Sequence, residues 1–350
     1  MEKMEICKMN QRIYDCGLFE AIGHTPIVKL NNLFPNAEYD INLYAKLEYL
    51  NPSGSAKDRS AYFIMRDAME KGEIDRDTVI IESSSGNFGV ALAQICHVWN
   101  LRFICVVDPK TTEQNLRMLK VLGAEVDCVK EPDKKTGEYL QARLSRVNQL
   151  LSIIPHSHQL NQYANLGNPE GHKNAAREIM DYFNDDIDYI FCPVSTCGTI
   201  RGYSEIVKSR NAHTKIIAVD AVGSVIFGDE RKKRLIPGHG AAVVSKLFYK
   251  DIANGFIRVT DLECVYGCRN LLSLEGIFAG GSTGAAVSAI YKFINSNELD
   301  SGVNIIFPIY DRGDRYIENV YSDDWVFNNL HETIRVKKNI FTSAPNISCI

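Results

Sequence analysis

Lys57 is expected at the first turn of a helix, where a cation is electrostatically disfavoured. It lies in Asn51-Pro52-Ser53-Gly54-Ser55-Ala56-Lys57-Asp58-Arg59. That loop joins a strand predicted over 42–47 to a helix predicted over 58–71, with Ser55 as the expected N-cap. The partial positive charge of a helix start opposes an ammonium by ~0.3–1 kcal/mol. The same field favours the neutral amine. A neutral lysine adds to an aldehyde and forms a Schiff base. The plain alternative is a solvated lysine whose cost Asp58 offsets.

Three further segments suit negative charge. Glu82-Ser83-Ser84-Ser85-Gly86-Asn87-Phe88-Gly89 follows a strand predicted over 78–81 and opens a helix. Backbone N–H groups and hydroxyls at a helix start bind carboxylates and phosphates. An N-cap needs one such side chain, and this loop offers three serines and an asparagine. Ser195-Thr196-Cys197-Gly198-Thr199 is a second, more compact cradle, in which small side chains let the backbone approach an anion. It has no Walker lysine and no dinucleotide glycine spacing, so a phosphate monoester fits it better than a nucleotide. The third, Ala279-Gly280-Gly281-Ser282-Thr283-Gly284-Ala285, is weak alone, because helix starts with Ser and Gly are structural more often than not. An activated lysine, a phosphate cradle, a carboxylate loop and a hydroxyl loop together describe the needs of pyridoxal 5′-phosphate acting on an amino acid.

These segments resemble the motifs of the cysteine synthase family, the fold type II pyridoxal-phosphate enzymes. Residues 51–59 resemble its cofactor-lysine motif, and Ser84-Ser85-Gly86-Asn87 its Thr-Ser-Gly-Asn loop. Ile22-Gly23-His24-Thr25-Pro26 resembles its Gly-Asn-Thr-Pro motif, and Gly281-Ser282-Thr283-Gly284 its serine loop. Residues 195–199 occupy the place of its phosphate loop, and the likeness runs in the family's order over about 18–308. It implies two open, twisted, mainly parallel α/β sheets with helices on both faces and the cofactor between two lobes. By it, Lys57 holds the cofactor and Asn87 meets the ring hydroxyl. Ser195, Thr196, Cys197, Gly198 and Thr199 hold the phosphate, and Ser282 meets the pyridine nitrogen. Ser84, Ser85 and Gly86 take the substrate carboxylate with help from Gln162. A homodimer is the usual family state.

Several residues depart from ordinary cysteine synthases: Phe88 after the loop asparagine, Ser195 and Cys197 in the phosphate loop, and the segments 108–112, 137–143 and 234–240. They resemble the branch that makes N-(2-amino-2-carboxyethyl)-L-glutamate for 2,3-diaminopropionate, a building block of siderophores and peptide antibiotics. There the donor is O-phospho-L-serine and the nucleophile is L-glutamate. A phosphate leaving group calls for an arginine, for which Arg143 is the first candidate and Arg234 the second. Tyr163 and Ser195 are the expected second-substrate contacts, and Phe88 is a further expected substrate-binding residue. A cysteine synthase using sulfide is the nearest alternative. A dehydratase is a weaker one, and a silent cofactor-binding protein belongs to a different class. A nicotinamide dehydrogenase lacks its glycine fingerprint.

Alternating β-branched and helical runs must position these loops. Strands are predicted over 42–47, 78–81, 102–107, 125–129, 189–193, 216–220 and 304–308. Helices are predicted over 58–71, 88–99, 112–122, 140–151, 169–183, 202–209 and 285–295. Such alternation makes parallel sheets, with ligand loops at the carboxyl ends of the strands. The expected division is a large lobe of 1–51 and 161–335, a small lobe of 52–160, and a loose tail over 336–350. The 350 residues suffice for two lobes. A net charge of −4 argues against nucleic acid. No run approaches ~18 uninterrupted apolar residues and the start has no leader pattern, so a cytoplasmic protein without a membrane segment is expected. The ten cysteines are scattered without zinc spacing, so no metal is expected. Cys96 and Cys105 lie in apolar runs and are expected as buried thiols.

Overall fold

A computed structural model describes residues 17–34, 40–135, 137–210 and 212–333. In chain order its elements are α1 (Gly17–Glu20), β1 (Ile27–Leu30), β2 (Ile41–Lys46), α2 (Lys57–Glu70), β3 (Val79–Ser83), α3 (Asn87–Trp99) and β4 (Phe103–Val107). Next come α4 (Glu113–Val121), β5 (Glu125–Cys128), α5 (Tyr139–Ile153), β6 (Ser157–His158), α6 (Gly167–Tyr182), β7 (Tyr189–Pro193), α7 (Gly198–Ser209) and β8 (Lys215–Ala221). β9 (Gly255–Val259), α8 (Asp261–Glu275), α9 (Gly281–Ser296), β10 (Val303–Pro308) and α10 (Asp323–Leu330) complete the order. The tail expected over 336–350 lies outside the described residues.

The chain divides into two compact units, one of residues 1–24 and 50–174, the other of 25–49 and 175–350. The first contains a parallel sheet in the order β5-β4-β3-β6. The central strands β3 and β4 are buried along their whole length, as parallel strands under crossover helices are, while the edge strands β5 and β6 are half-buried or exposed. Alternation sorts their side chains. Ile80, Phe103, Cys105 and Val107 join one apolar cluster with residues of α2 and α3. Val79, Ile81, Ile104 and Val106 join another with Val147 and Leu150 of α5.

The second unit contains a sheet in the order β1-β2-β10-β7-β8-β9, parallel except for β1 against β2. Phe191, Ile217, Val219, Ile305 and Phe307 face a cluster that includes α9, while Ile190, Cys192, Ile216, Ala218 and Ile306 face the opposite one. Each fully buried side chain of this size contributes about 1.5–3 kcal/mol. The folded architecture is the α/β class expected from the sequence, with parallel-dominated sheets.

Among the described residues, six of these elements were not anticipated: α1, β1, β6, β9, α8 and α10. Among the described residues no cysteine forms a disulfide, and the seven thiols are buried except Cys128. Cys96 and Cys105 are among the buried ones, as their apolar runs implied.

Candidate active site

Lys57 is the first residue of α2. The cap position is Ala56 rather than Ser55, and it makes no side-chain cap bond. Ser55 is nonetheless fully buried, and its Oγ accepts the Lys57 N–H at 3.3 Å. The Asp58 carboxylate accepts from Ser53 N at 2.8 Å and Ser53 Oγ at 2.5 Å, which ties the loop to the helix start. Lys57 is half-buried rather than solvated. The buried ring of His172, in α6, is held well below the ordinary histidine range by burial, then by the charges of Lys57 and Arg59. It therefore stays neutral and adds no cation beside Lys57. Sequence reading missed His172.

Residues 83–87 form the turn from β3 to α3. The N-cap is Gly86, with extended backbone, and Asn87 opens the helix. Ser84 is buried and its Oγ accepts the Gly89 N–H at 2.8 Å, so this hydroxyl caps the helix. Ser85, Gly86 and Asn87 are half-exposed. Cys105 Sγ donates to the Ser84 carbonyl at 3.0 Å, and Asn115 Nδ2 to the Ser85 carbonyl at 3.0 Å. Phe88 is placed differently from expectation. It is 2% exposed and packs in the apolar core of its unit, because it projects from the buried side of α3. Its ring is a packing group.

Glu82 lies directly before this turn and is 2% exposed. Burial raises its pKa to about 7, against hydrogen bonds from Asn161 N, Ser83 N and the Gln159 side chain. The unfolded carboxyl releases its proton near the ordinary 4.5, while the folded one keeps it until about 7. Glu82 therefore contributes stability that is fully present below the unfolded pKa and lost as pH rises through about 7. The window is worth about 3 kcal/mol. Urea unfolding of the apoprotein from pH 4 to 8 is expected to show this decline, and Glu82→Gln is expected to remove it. An identical decline in the variant would assign the effect elsewhere.

Gln162 is buried, and its carbonyl accepts Asn168 Nδ2 at 2.8 Å. Tyr163 is half-buried. Arg143, in α5, sets its Nε 3.2 Å from Asp108 Oδ2, with both side chains largely buried. Asp108 Oδ1 also accepts Lys110 N at 2.8 Å, so the distinctive 108–112 segment seats the arginine. Arg143 is also close enough to act on Glu82 and Cys105. All these residues, with Lys57, belong to the first unit.

In the second unit, Cys197 caps α7 in the left-handed region, with φ 64°. Thr196 and Thr199 are buried, and Ser195 is half-exposed. Ser282 is buried in the first turn of α9, whose N-cap is Gly280. A Cβ on Gly280 would lie 2.1 Å from Asp311 Oδ1, which explains the glycine. Arg234 Nη1 donates to the His239 carbonyl at 2.7 Å, a bond that braces its own loop. Gly240 N donates to the Val194 carbonyl at 2.8 Å, which joins that loop to the end of β7.

Tyr310 was also missed. Its hydroxyl lies 3.1 Å from Cys192 Sγ and bonds the Thr199 side chain, while its N–H donates to Thr283 Oγ1 at 3.3 Å. It thus staples the phosphate-like loop to the serine loop. The rule that ligand loops leave strand carboxyl ends, applied to β10, points to it.

Residues 18–311 match the family described as pyridoxal-phosphate dependent enzyme. The chain belongs to that family. A hydrogen sulfide-producing enzyme from Fusobacterium nucleatum is 30% identical, with 85% of this chain and 98% of that one covered and a TM-score of 0.79. An O-acetylserine dependent cystathionine beta-synthase from Helicobacter pylori is 29% identical, with coverage of 87% and 98% and a TM-score of 0.80. O-acetylserine sulfhydrylase isoform 3 from Entamoeba histolytica is 26% identical, with coverage of 92% and 93% and a TM-score of 0.82. This pyridoxal-phosphate enzyme is thus cysteine synthase-like in fold, and its cofactor is pyridoxal phosphate. The donor set fits the cofactor: an amine in a helix first turn, hydroxyl-bearing helix starts, and a neutral serine at α9. Among the described residues no helix is long and apolar enough to cross a membrane.

Proposed function

We propose that this enzyme carries out β-replacement, joining O-phospho-L-serine to L-glutamate with release of phosphate. The product is N-(2-amino-2-carboxyethyl)-L-glutamate, a precursor of 2,3-diaminopropionate. The observation that carries the reading is Arg143, a largely buried guanidinium seated by Asp108 in the unit that bears the serine loop. A bidentate, permanently charged group suits a departing phosphate better than a neutral acetate.

In this reading Lys57 holds the cofactor, Asn87 meets its ring hydroxyl, and residues 195–199 hold its phosphate. Ser282 meets the pyridine nitrogen and, being neutral, does not keep it protonated. Bound pyridoxal phosphate supplies the electron sink that makes an amino-acid Cα proton acidic. The 84–86 loop and Gln162 orient the substrate carboxylate. Lys57 Nζ takes the Cα proton, and the Cβ–O bond breaks as phosphate leaves. The glutamate amine forms the new Cβ–N bond, loses its proton, and Lys57 returns a proton to Cα. The reading includes a cytoplasmic homodimer, whose assembly sedimentation would measure.

The second reading is a cysteine synthase, favoured by the O-acetylserine named for the Helicobacter and Entamoeba proteins. Purified holoenzyme given O-phosphoserine with glutamate, or with sulfide, separates the two by product mass and phosphate release. Turnover with sulfide alone would overturn the glutamate reading. Arg143→Met is expected to lower kcat/KM for O-phosphoserine about 100-fold, roughly 3 kcal/mol, and much less for O-acetylserine. Equal losses for both donors would remove Arg143 from the phosphate's path.

A further inference from the structure

Glu82 reaches two segments far apart in sequence. Oε1 accepts the N–H of Ser83 at 2.9 Å, at the entry to the serine loop. Oε2 accepts the N–H of Asn161 at 2.7 Å, across 79 positions of chain. The Gln159 side chain adds a further hydrogen bond to the carboxylate. Asn161 has φ 53°, in the left-handed region, a conformation that the surrounding contacts must hold. Its carbonyl accepts the N–H groups of Ala164 and Asn165 at 3.0 and 2.9 Å, so the turn carrying Gln162 is built on it.

We infer that Glu82 is a positioning residue that locks the two arms of the substrate-carboxylate site, residues 84–86 and Gln162, to each other. The inference rests on the proposed role of those arms. One side chain sets the register between them because each of its oxygens is committed to a different arm. An isosteric amide cannot do the same, since its NH2 would face one of the two N–H donors.

The surroundings give the lock a pH dependence. The groups that face Glu82 are the Arg143 guanidinium from α5 and the Cys105 thiol from β4, with Asp108 behind the arginine. With Glu82 protonated, Arg143 and Asp108 balance. Ionised Glu82 adds a negative charge beside the arms that receive an anionic amino acid. Its pKa of about 7 puts that change near neutrality.

The test compares wild type, Glu82→Gln and Glu82→Asp. Glu82→Gln is expected to raise KM for O-phosphoserine about tenfold with kcat changed much less, since an anchored hydrogen bond is lost before the chemical step. Its kcat/KM is expected to lose the change between pH 6 and 8 that wild type shows. Glu82→Asp keeps the acid but shortens the reach, so it is expected to raise KM while retaining a pH response. In the apoproteins, hydrogen exchange of residues 83–87 and 159–165 is expected to quicken in both variants and nowhere else. Wild-type KM and exchange in Glu82→Gln would overturn the inference, as would loss of the bound cofactor's visible absorption. If wild-type enzyme releases no phosphate from O-phosphoserine, the substrate reading fails by itself. Spectral titration with L-serine then still reads Glu82, and equal L-serine affinities in wild type and variants would overturn it.

Discussion

Replacing Lys57 with alanine is expected to abolish the visible absorption of the lysine-linked cofactor and to lower turnover at least ~1000-fold, the scale of a lost proton-transfer group. In the proposed mechanism two contributions disappear together, the covalent anchor and the base at Cα. Lys57→Arg separates chemistry from charge. Its guanidinium keeps the positive charge at the start of α2 but neither adds to an aldehyde nor accepts a proton near neutrality. It is expected to fail as completely as alanine, while thermal unfolding of both apoproteins stays close to wild type. Turnover and visible absorption retained in Lys57→Ala would sink the assignment, because no other role for this lysine predicts both losses.

Gly284→Ala is expected to cause the largest loss of stability. A Cβ at this position would lie 2.1 Å from the Cys264 carbonyl oxygen and 2.4 Å from Cys268 Sγ. The facing helix answers in kind, since a Cβ on Gly267 would lie 2.0 Å from the Gly284 carbonyl oxygen. α8 and α9 thus meet backbone to backbone, and a carbonyl cannot rotate away as a side-chain tip can. Overpacking of this kind costs about 3 kcal/mol. The melting temperature is expected to fall by roughly 4 °C. Ser282 stands two residues earlier on α9, so cofactor affinity is expected to fall with it. Gly255→Ala is the control, because its Cβ would meet Ile217 at an ordinary 3.6 Å, and its melting transition is expected to stay in place. An unmoved transition in Gly284→Ala would show that the helix pair can separate without cost.

The segments of the candidate site were readable in the sequence where they are local. Lys57, residues 84–87, 195–199 and 281–284 each sit in one short strand-to-helix or loop-to-helix segment, and glycines and hydroxyls mark such segments within a few residues. Residues whose roles depend on distant partners were not readable. Asn115 bonds Ser85 across 30 positions, and Tyr310 meets Cys192 across 118. Nothing next to Asn115 or Tyr310 in sequence announces those contacts. α8 was overlooked for another reason. Its Thr260–Glu263 capping box and its C-terminal Gly276 were present. Its buried face, however, includes Arg269 and Asn270, which obscures the apolar period. Arg269 is tolerated there because it donates to the Val320 carbonyl at 3.0 Å and pairs with Asp323, partners that only the fold supplies.

The sequence by itself determined the class of chemistry. An amine in a first helical turn, with small hydroxyl-rich loops after strands, is a local pattern whose backbone geometry follows from a few neighbouring residues. Tertiary structure alone decided which polar groups remain available to a ligand. It buried Phe88 in the core, used Arg234 as a brace, took up one acceptor position of the Ser84 hydroxyl as a cap, and oriented Arg143 through its Nε on Asp108. It also placed Glu82 between two arms of the chain. Burial and long-range hydrogen bonds settle such commitments, because the cost of an unpaired polar group depends on where the whole chain has removed water.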